Sequence, residues 1–167
     1  MALTKSELIA SLQNEVRILL HLCSKIEPQM LDYRPTPKQR STLELLKYLT
    51  VMGPALTAAA KQGFDPAAFG AADKEAQARN FEQTVAALAA HADAYASLLA
   101  GYSDADFREE IEIFGRKTTR GSFLVNSVLS GCAAYRTQLF LYLKACGREE
   151  LNTMNLWAGV DAPLATT

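Results

Sequence analysis

Apolar residues return at helical spacing along most of this chain, and no other sequence feature restricts the fold as strongly. Four long stretches place apolar side chains on one helix face, at spacings of three, four or seven residues. No stretch alternates with a strand's two-residue period for more than a few positions. We therefore expect an all-α protein, an up-down four-helix bundle built as a single domain from residues 1–167.

Local signals indicate where the helices begin and end. The first stripe runs from Leu8 to Ile26, and the second helix begins at STLE, where Ser41 and Glu44 can form a capping box. The third helix is predicted over residues 73–100 and the fourth over residues 119–145. Other segments have separate predictions: a kink at Gly53-Pro54, a loop over 63–70, a short extended segment within 107–115, and a tail that folds back as a turn or short helix.

Composition restricts the function. The chain is 49% hydrophobic and has a formal net charge of -1, without the concentrated basic face that nucleic acids require. It contains no apolar run of about 18 residues, so we expect no membrane span. The start, MALTKSELIA, lacks the apolar core of a signal peptide. Three widely spaced cysteines, Cys23, Cys132 and Cys146, favour reduced thiols and a cytoplasmic location.

Several segments resemble a known family. The segments STLELLKYL and YRTQLFLYLKACG resemble the second and fourth helices of DinB-like (DinB/YfiT-like) helical bundles. The proline-rich run YRPTPKQRSTLELLKYL and the segment FGRKTTRGSFL are also similar to that family, in the same order. The resemblance covers most of the chain. It implies a four-helix bundle, relatives that include thiol-dependent S-transferases, and association into homodimers.

The resemblance also implies where a metal would bind. Family members hold a divalent ion with three histidines, one on the second helix and two on the fourth at positions i and i+4, just before Arg-x-Gln-Leu. Here these positions are Tyr48, Gly131 and Tyr135, whereas residues 136–139 keep the Arg-x-Gln-Leu motif. Glycine offers no ligand, and a tyrosine phenol ionises only near pH 10. We therefore expect a degenerate metal site with no metal and no other cofactor.

The three replaced positions have two interpretations. The resemblance implies that Tyr48 and Tyr135 face each other across the bundle, near the position of the family's metal. In the favoured interpretation, the two aromatic rings fill the space that a metal and its ligands would occupy. In the alternative, Gly131 leaves room for a pocket whose phenols bind a small polar ligand.

Polar residues near these positions are predicted to be structural. Gln138 lies on the inward stripe and needs partners for its amide. Glu44 on the second helix is one candidate for a cross-helix pair with Arg136. Together, Glu44, Arg136 and Gln138 are the predicted neighbours of the vacated site.

Other chemically capable residues are assigned structural roles. His21 is predicted to face away from the apolar stripe, and His91 to point inward with a hydrogen bond. Cys132 is predicted to be a packed, unreactive thiol, because burial in a helix raises a thiol pKa. Trp157 is expected to cap the bundle or to form a dimer contact. The basic residues before the fourth helix are interpreted as a solvated loop rather than an anion site: Arg116, Lys117 and Arg120.

Two functions follow as hypotheses. The first is a non-catalytic DinB-like binding or scaffold protein that forms a homodimer. The alternative is a thiol-dependent S-transferase-like enzyme with a rebuilt or metal-free pocket around Tyr48 and Tyr135. The sequence does not decide between them and does not identify a substrate or ligand.

Overall fold

Helices make up most of the described chain. The computed structural model describes residues 3–161. Its helices are α1 (Lys5–Cys23), α2 (Thr42–Gln62), α3 (Pro66–Gln77), α4 (Phe81–Ala89), α5 (His91–Leu99), α6 (Arg120–Phe123) and α7 (Ser130–Ala145). The strands are β1 (Glu110–Ile113) and β2 (Arg116–Thr119). The prediction of a helical fold is confirmed, and within residues 3–161 a small hairpin is added to it.

The first two long helices begin with the same side-chain motif. In α2, the Ser41 hydroxyl accepts the Glu44 amide while the Glu44 carboxylate accepts the Ser41 amide, so the predicted capping box is confirmed. Thr4 and Glu7 form the equivalent box at the start of α1. Helix α2 continues through Pro54 to Gln62.

The predicted third helix is wrong in its boundaries. The helix α3 begins at Pro66, inside the predicted loop, and Asp65 caps it by accepting two backbone amides at 2.9 and 3.0 Å. Proline suits the first helical position because the amide that it lacks would have no partner there. Asn80 then caps a new helix, α4, and a single residue, Ala90, separates α4 from α5. The high alanine content concealed these breaks.

The last long helix covers the predicted residues but contains a wider turn. Thr119 caps α6 by accepting the Ser122 amide. The chain then forms a π-helical turn over Leu124–Leu129, closed where the Ser130 amide donates to the Val125 carbonyl, and continues as α7. Nothing in the local apolar spacing distinguishes this turn from ordinary α-helix.

The predicted short extended segment is one strand of a hairpin. Strands β1 and β2 are antiparallel, and Ile113 pairs with Arg116 across a two-residue turn. Both turn residues have positive φ, 52° at Phe114 and 71° at Gly115. Two-residue turns of this kind match the twist of the strands, and glycine adopts the second position without strain.

The core lies between helices that are distant in sequence. Helix α1 packs against α4, α5 and α7, and α2 packs against α3, α4, α5 and α7. The tail turn Met154–Ala158 folds back against α1, as predicted. Fully buried side chains of the core include Leu8, Leu12, Leu22, Leu45, Leu46, Leu88, Leu99, Leu124, Leu139 and Leu143. Within residues 3–161, no helix combines the length and apolarity needed to cross a membrane.

Gly53 on α2 allows a close approach of α5. A β-carbon at this position would overlap the hydroxyl oxygen of Tyr95, a side chain that is almost completely buried. The Tyr95 hydroxyl lies 3.7 Å from the Cys132 sulfur, so the phenol spans the bundle from α5 towards α7. The absence of a side chain at position 53 therefore sets how closely α2 and α5 pack.

We expect Gly53→Ala to lower the free energy of unfolding by about 1–3 kcal/mol, because the added methyl overpacks the core against Tyr95. Urea denaturation followed by circular dichroism measures this change. In a Tyr95→Phe background the same substitution should be less destabilising, because the overlapping oxygen is gone.

Gly70→Ala is the matched control. Gly70 lies on the exposed surface of α3, where a β-carbon would meet no atom within 4 Å. We expect this change to stabilise the protein by about 0.5–1 kcal/mol through helix propensity alone. Equal effects at positions 53 and 70 would contradict the packing explanation.

Candidate functional site

Two tyrosines meet at the positions where the resemblance implies metal ligands. Tyr48 lies on α2 and Tyr135 on α7, and these helices pack against each other. The ring centroids are 5.3 Å apart with an interplanar angle of 69°, an edge-to-face contact. This arrangement places the positive edge of one ring on the negative face of the other. The structure thus brings together the two aromatic residues of the predicted site.

A methionine lies beside Gly131, the third of these positions. A β-carbon on Gly131 would be 3.3 Å from Met52 Cε and 3.6 Å from Met52 Sδ. Met52 is buried, and a flexible thioether readily fills an irregular gap. No local signal in the sequence connects Met52 with Gly131, because the two residues lie on different helices.

A cation covers the Tyr48 ring. The guanidinium carbon of Arg40 lies 3.9 Å from the ring centroid, a cation–π contact. Burial, and next the neighbouring Tyr135, raise the pKa of the Tyr48 phenol, and Arg40 acts in the opposite direction. Tyr48 is therefore a neutral phenol near neutral pH, able to donate a hydrogen bond.

These residues do not fit a divalent metal. Such an ion needs imidazole, thiolate or carboxylate donors in a defined geometry. Gly131 has no side chain, and a phenol with a raised pKa is reluctant to become an anionic ligand. Throughout residues 3–161, no group of three or more His, Cys, Asp or Glu side chains is arranged to hold a metal ion.

Arg136 forms a buried ion pair with Glu15 of α1, and the predicted pair with Glu44 is wrong. Its Nε lies 2.7 Å from Glu15 Oε2 and its Nη2 lies 3.2 Å from Glu15 Oε1. Its Nη1 donates to the Leu156 carbonyl of the tail. Only 3% of Arg136 is exposed, so the guanidinium needs these partners to offset the loss of water. Its role is to join α7, α1 and the tail.

The Glu44 carboxylate already has partners at the start of its own helix. Besides capping α2 with Ser41, its carboxylate accepts a hydrogen bond from Arg34 at 3.2 Å. The carboxylate therefore holds the proline-rich segment before α2, on the exposed side of the helix start.

Gln138 belongs to a hydrogen-bond chain that reaches the tyrosine pair. Its amide nitrogen donates to the Tyr142 hydroxyl at 2.5 Å, and that hydroxyl donates to the Arg40 carbonyl at 3.1 Å. These hydrogen bonds link α7 to Arg40, in the segment before α2. The side chain of Arg40 in turn covers the Tyr48 ring. The Gln138 amide was expected to need a partner, and the structure gives it the Tyr142 hydroxyl, one helical turn further along α7.

The buried histidine and the half-buried thiol have structural contacts. His91 points inward, as predicted, and its Nε2–H donates to the Thr50 carbonyl at 3.1 Å, while burial lowers its pKa. Burial raises the pKa of Cys132 to about 11, so this thiol stays protonated near neutral pH. His91, Cys132 and Glu15 border a cavity of only about 10 Å³, the size of one water molecule.

Three remaining features lie apart from the tyrosine pair: the basic cluster, His21 and Trp157. In the basic cluster, Lys117 pairs with Glu110 at 3.4 Å, and Arg120 binds the Asp106 carbonyl and the Glu109 carboxylate at 2.6 Å. His21 bonds with Asn155 of the tail at 3.1 Å. Trp157 is 68% exposed, so its ring does not cap the bundle, although Arg136 lies 5.6 Å from the ring centroid.

The architecture is that of a DinB-like helical bundle. A structure comparison matches the chain to a DinB-like protein, YjoA of Bacillus subtilis, with a TM-score of 0.65 and 17% sequence identity. The match covers 87% of this chain and 95% of that protein. This similarity supports the family resemblance at the level of the fold. No protein-family model matches the sequence, and no curated protein is significantly similar to it.

We expect Arg136→Met to destabilise the protein by about 3–5 kcal/mol, because it leaves the Glu15 carboxylate buried without a partner. A double-mutant cycle with Glu15→Gln, measured by chemical denaturation, should show a strong coupling energy between the two positions. The same cycle between Arg136→Met and Glu44→Gln should be additive.

Arg34→Met is the matched control. It breaks the exposed pair with Glu44 and should cost at most about 1 kcal/mol. If Arg136 couples to Glu44 instead of Glu15, the observed ion pair does not exist in solution.

Proposed function

We propose that this chain is a DinB-like bundle whose metal position has been replaced by an aromatic contact, and that it acts as a non-catalytic binding or scaffold protein. The observation that carries the proposal is the edge-to-face packing of Tyr48 on Tyr135, with Met52 against Gly131. Side chains on α2 and α7 that would converge on an ion in a metal-binding member here contact each other directly.

The surrounding residues support a structural role for this centre. Arg40 covers the Tyr48 ring. The hydrogen bonds through Tyr142 and Gln138 fix the segment that carries Arg40. In this chain of hydrogen bonds, the Gln138 amide nitrogen and the Tyr142 hydroxyl both have partners inside the protein. A catalytic centre would instead present a group with a shifted pKa to an open space that admits substrate.

The thiol-dependent S-transferase alternative finds less support. Cys132 is half-buried and hydrogen-bonded to Tyr95, and its raised pKa opposes formation of a nucleophilic thiolate. The two phenols could still orient a thiol substrate if Met52 moved aside. Turnover of a thiol with an electrophilic acceptor by wild-type protein, abolished by Tyr135→Phe, would overturn the non-catalytic proposal.

We also propose that the protein forms a homodimer. Trp157 is 68% exposed and Leu141 is 58% exposed, and large apolar side chains with this exposure favour association. Size-exclusion chromatography with light scattering should give twice the chain mass at high protein concentration. A monomer at all concentrations would remove this proposal, and Trp157→Ser tests whether the indole contributes.

We expect the purified, untagged protein to contain no stoichiometric metal. Added nickel, zinc or manganese should leave its melting temperature unchanged, because a ligand that does not bind the folded state cannot stabilise it. Elemental analysis and melting scans measure both properties. A tightly bound ion near one per chain would refute the replaced-site proposal.

A rebuilt site provides the matched positive control. The variant Tyr48→His/Gly131→His/Tyr135→His, with Met52→Ala to make room beside position 131, restores the three implied ligands. It should bind zinc or nickel and gain melting temperature on metal addition. If this variant binds metal and the wild type does not, the residues at these positions decide whether the bundle binds a metal.

A further inference from the structure

A second candidate site lies where the last helix begins. An open pocket of about 420 Å³ is bordered by the start of α1, the turn before β1, and the residues around α6. Its size falls within the range of small-molecule sites, roughly 300–1,000 Å³. It shares no lining residue with the tyrosine pair. Its apolar wall consists of Leu3, Leu8, Phe107 and Val125.

One wall of the pocket is held rigidly in place. Gly121 packs so closely on the preceding turn that a β-carbon there would be 3.0 Å from the Phe107 carbonyl oxygen. Arg120 fastens the same junction by donating to the Asp106 carbonyl at 2.6 Å and to the Ala60 carbonyl at 3.0 Å. A wall formed before binding reduces the entropy that a ligand must offset.

A cation without a partner lies at the rim. Arg108 lines the pocket and is exposed, and its guanidinium makes no ion pair or hydrogen bond with any residue of the described range 3–161. The nearest acidic residues in sequence are occupied elsewhere. Glu109 binds Arg120 at 2.6 Å, and Asp106 accepts from the Ser103 hydroxyl at 2.8 Å. The guanidinium of Arg108 is therefore available to an anion.

The π-helical turn supplies further polar groups beside the same apolar wall. Val125 and Asn126 both lie on this turn and both line the pocket. The Asn126 amide nitrogen donates to the Ser122 hydroxyl oxygen at 3.1 Å, and the Ser122 hydroxyl hydrogen is left to donate. Turns of this type occur frequently at functional sites, where they re-aim side chains.

We propose that this pocket binds a small carboxylic acid with an aliphatic or aromatic body. Arg108 and the Ser122 hydroxyl bind the carboxylate, and the wall of Leu3, Phe107 and Val125 covers the body of the ligand. Charge complementarity selects a carboxylate over an amine or a neutral compound, because among residues 3–161 the charged side chain that lines the pocket is that of Arg108. The site is independent of the tyrosine pair and of the function proposed for it.

Octanoate is the probe for the first experiment. We expect saturable binding in an NMR titration of ¹⁵N-labelled protein below the micelle concentration, with the largest amide shifts around the pocket. Acetate should bind far more weakly, since affinity changes by about fourfold for each buried methylene. Octanol, which lacks the charge, should also bind more weakly than octanoate.

Arg108→Gln should weaken octanoate binding by about tenfold or more, as expected for the loss of one charge-assisted hydrogen bond. Arg116→Gln is the matched control, because it removes an equal charge from an exposed arginine on β2 that does not line the pocket. Both side chains are exposed, so both variants should keep the wild-type fold and spectrum.

Three results with octanoate would overturn the proposal. They are the absence of saturable octanoate binding, equal affinity of the Arg108 and Arg116 variants, and shifts that concentrate away from the pocket. Octanol binding as tight as octanoate would identify an apolar site without carboxylate recognition, which also contradicts the proposal.

Discussion

The buried guanidinium of Arg136 is the constraint on which much of the remaining structure depends. A charge with 3% exposure is stable only where a carboxylate and further acceptors meet it, and here these come from Glu15 of α1 and the Leu156 carbonyl of the tail. The helices α1 and α7 must therefore reach one relative orientation before the charge is satisfied. The tail docks on the same group, since the Leu156 carbonyl accepts from the Arg136 guanidinium.

A contact between two tyrosines ties α2 to α7. Tyr48 packs edge-to-face on Tyr135, and the Arg40 side chain covers the Tyr48 ring. Met52 closes the space that a ligand at position 131 would otherwise use. An aromatic contact needs no deprotonated ligands. Its stability therefore depends neither on the supply of metal nor on pH changes near neutrality.

The two candidate sites differ in the state of their polar groups. Around the tyrosine pair, Gln138 and Tyr142 satisfy one another and the Arg40 carbonyl. Around the pocket beside α6, Arg108 remains without an ionic partner in the described residues. A satisfied network stabilises a fold, whereas an exposed, uncompensated charge next to an apolar wall is suited to a ligand. This contrast favours ligand binding at the pocket and packing between Tyr48 and Tyr135.

Features that depend on neighbours within a few residues could be predicted from the sequence. These include the helical class and the capping box of Ser41 with Glu44. The meeting of Tyr48 with Tyr135 joins distant parts of the chain, and it was expected from the family resemblance and not from local spacing. The tertiary structure alone decided which carboxylate pairs with Arg136. Glu15 and Glu44 are equally plausible in sequence, and the choice depends on how each helix is rotated about its axis. The pocket beside α6 was also beyond sequence reasoning, because its lining comes from segments more than a hundred residues apart and has no local pattern.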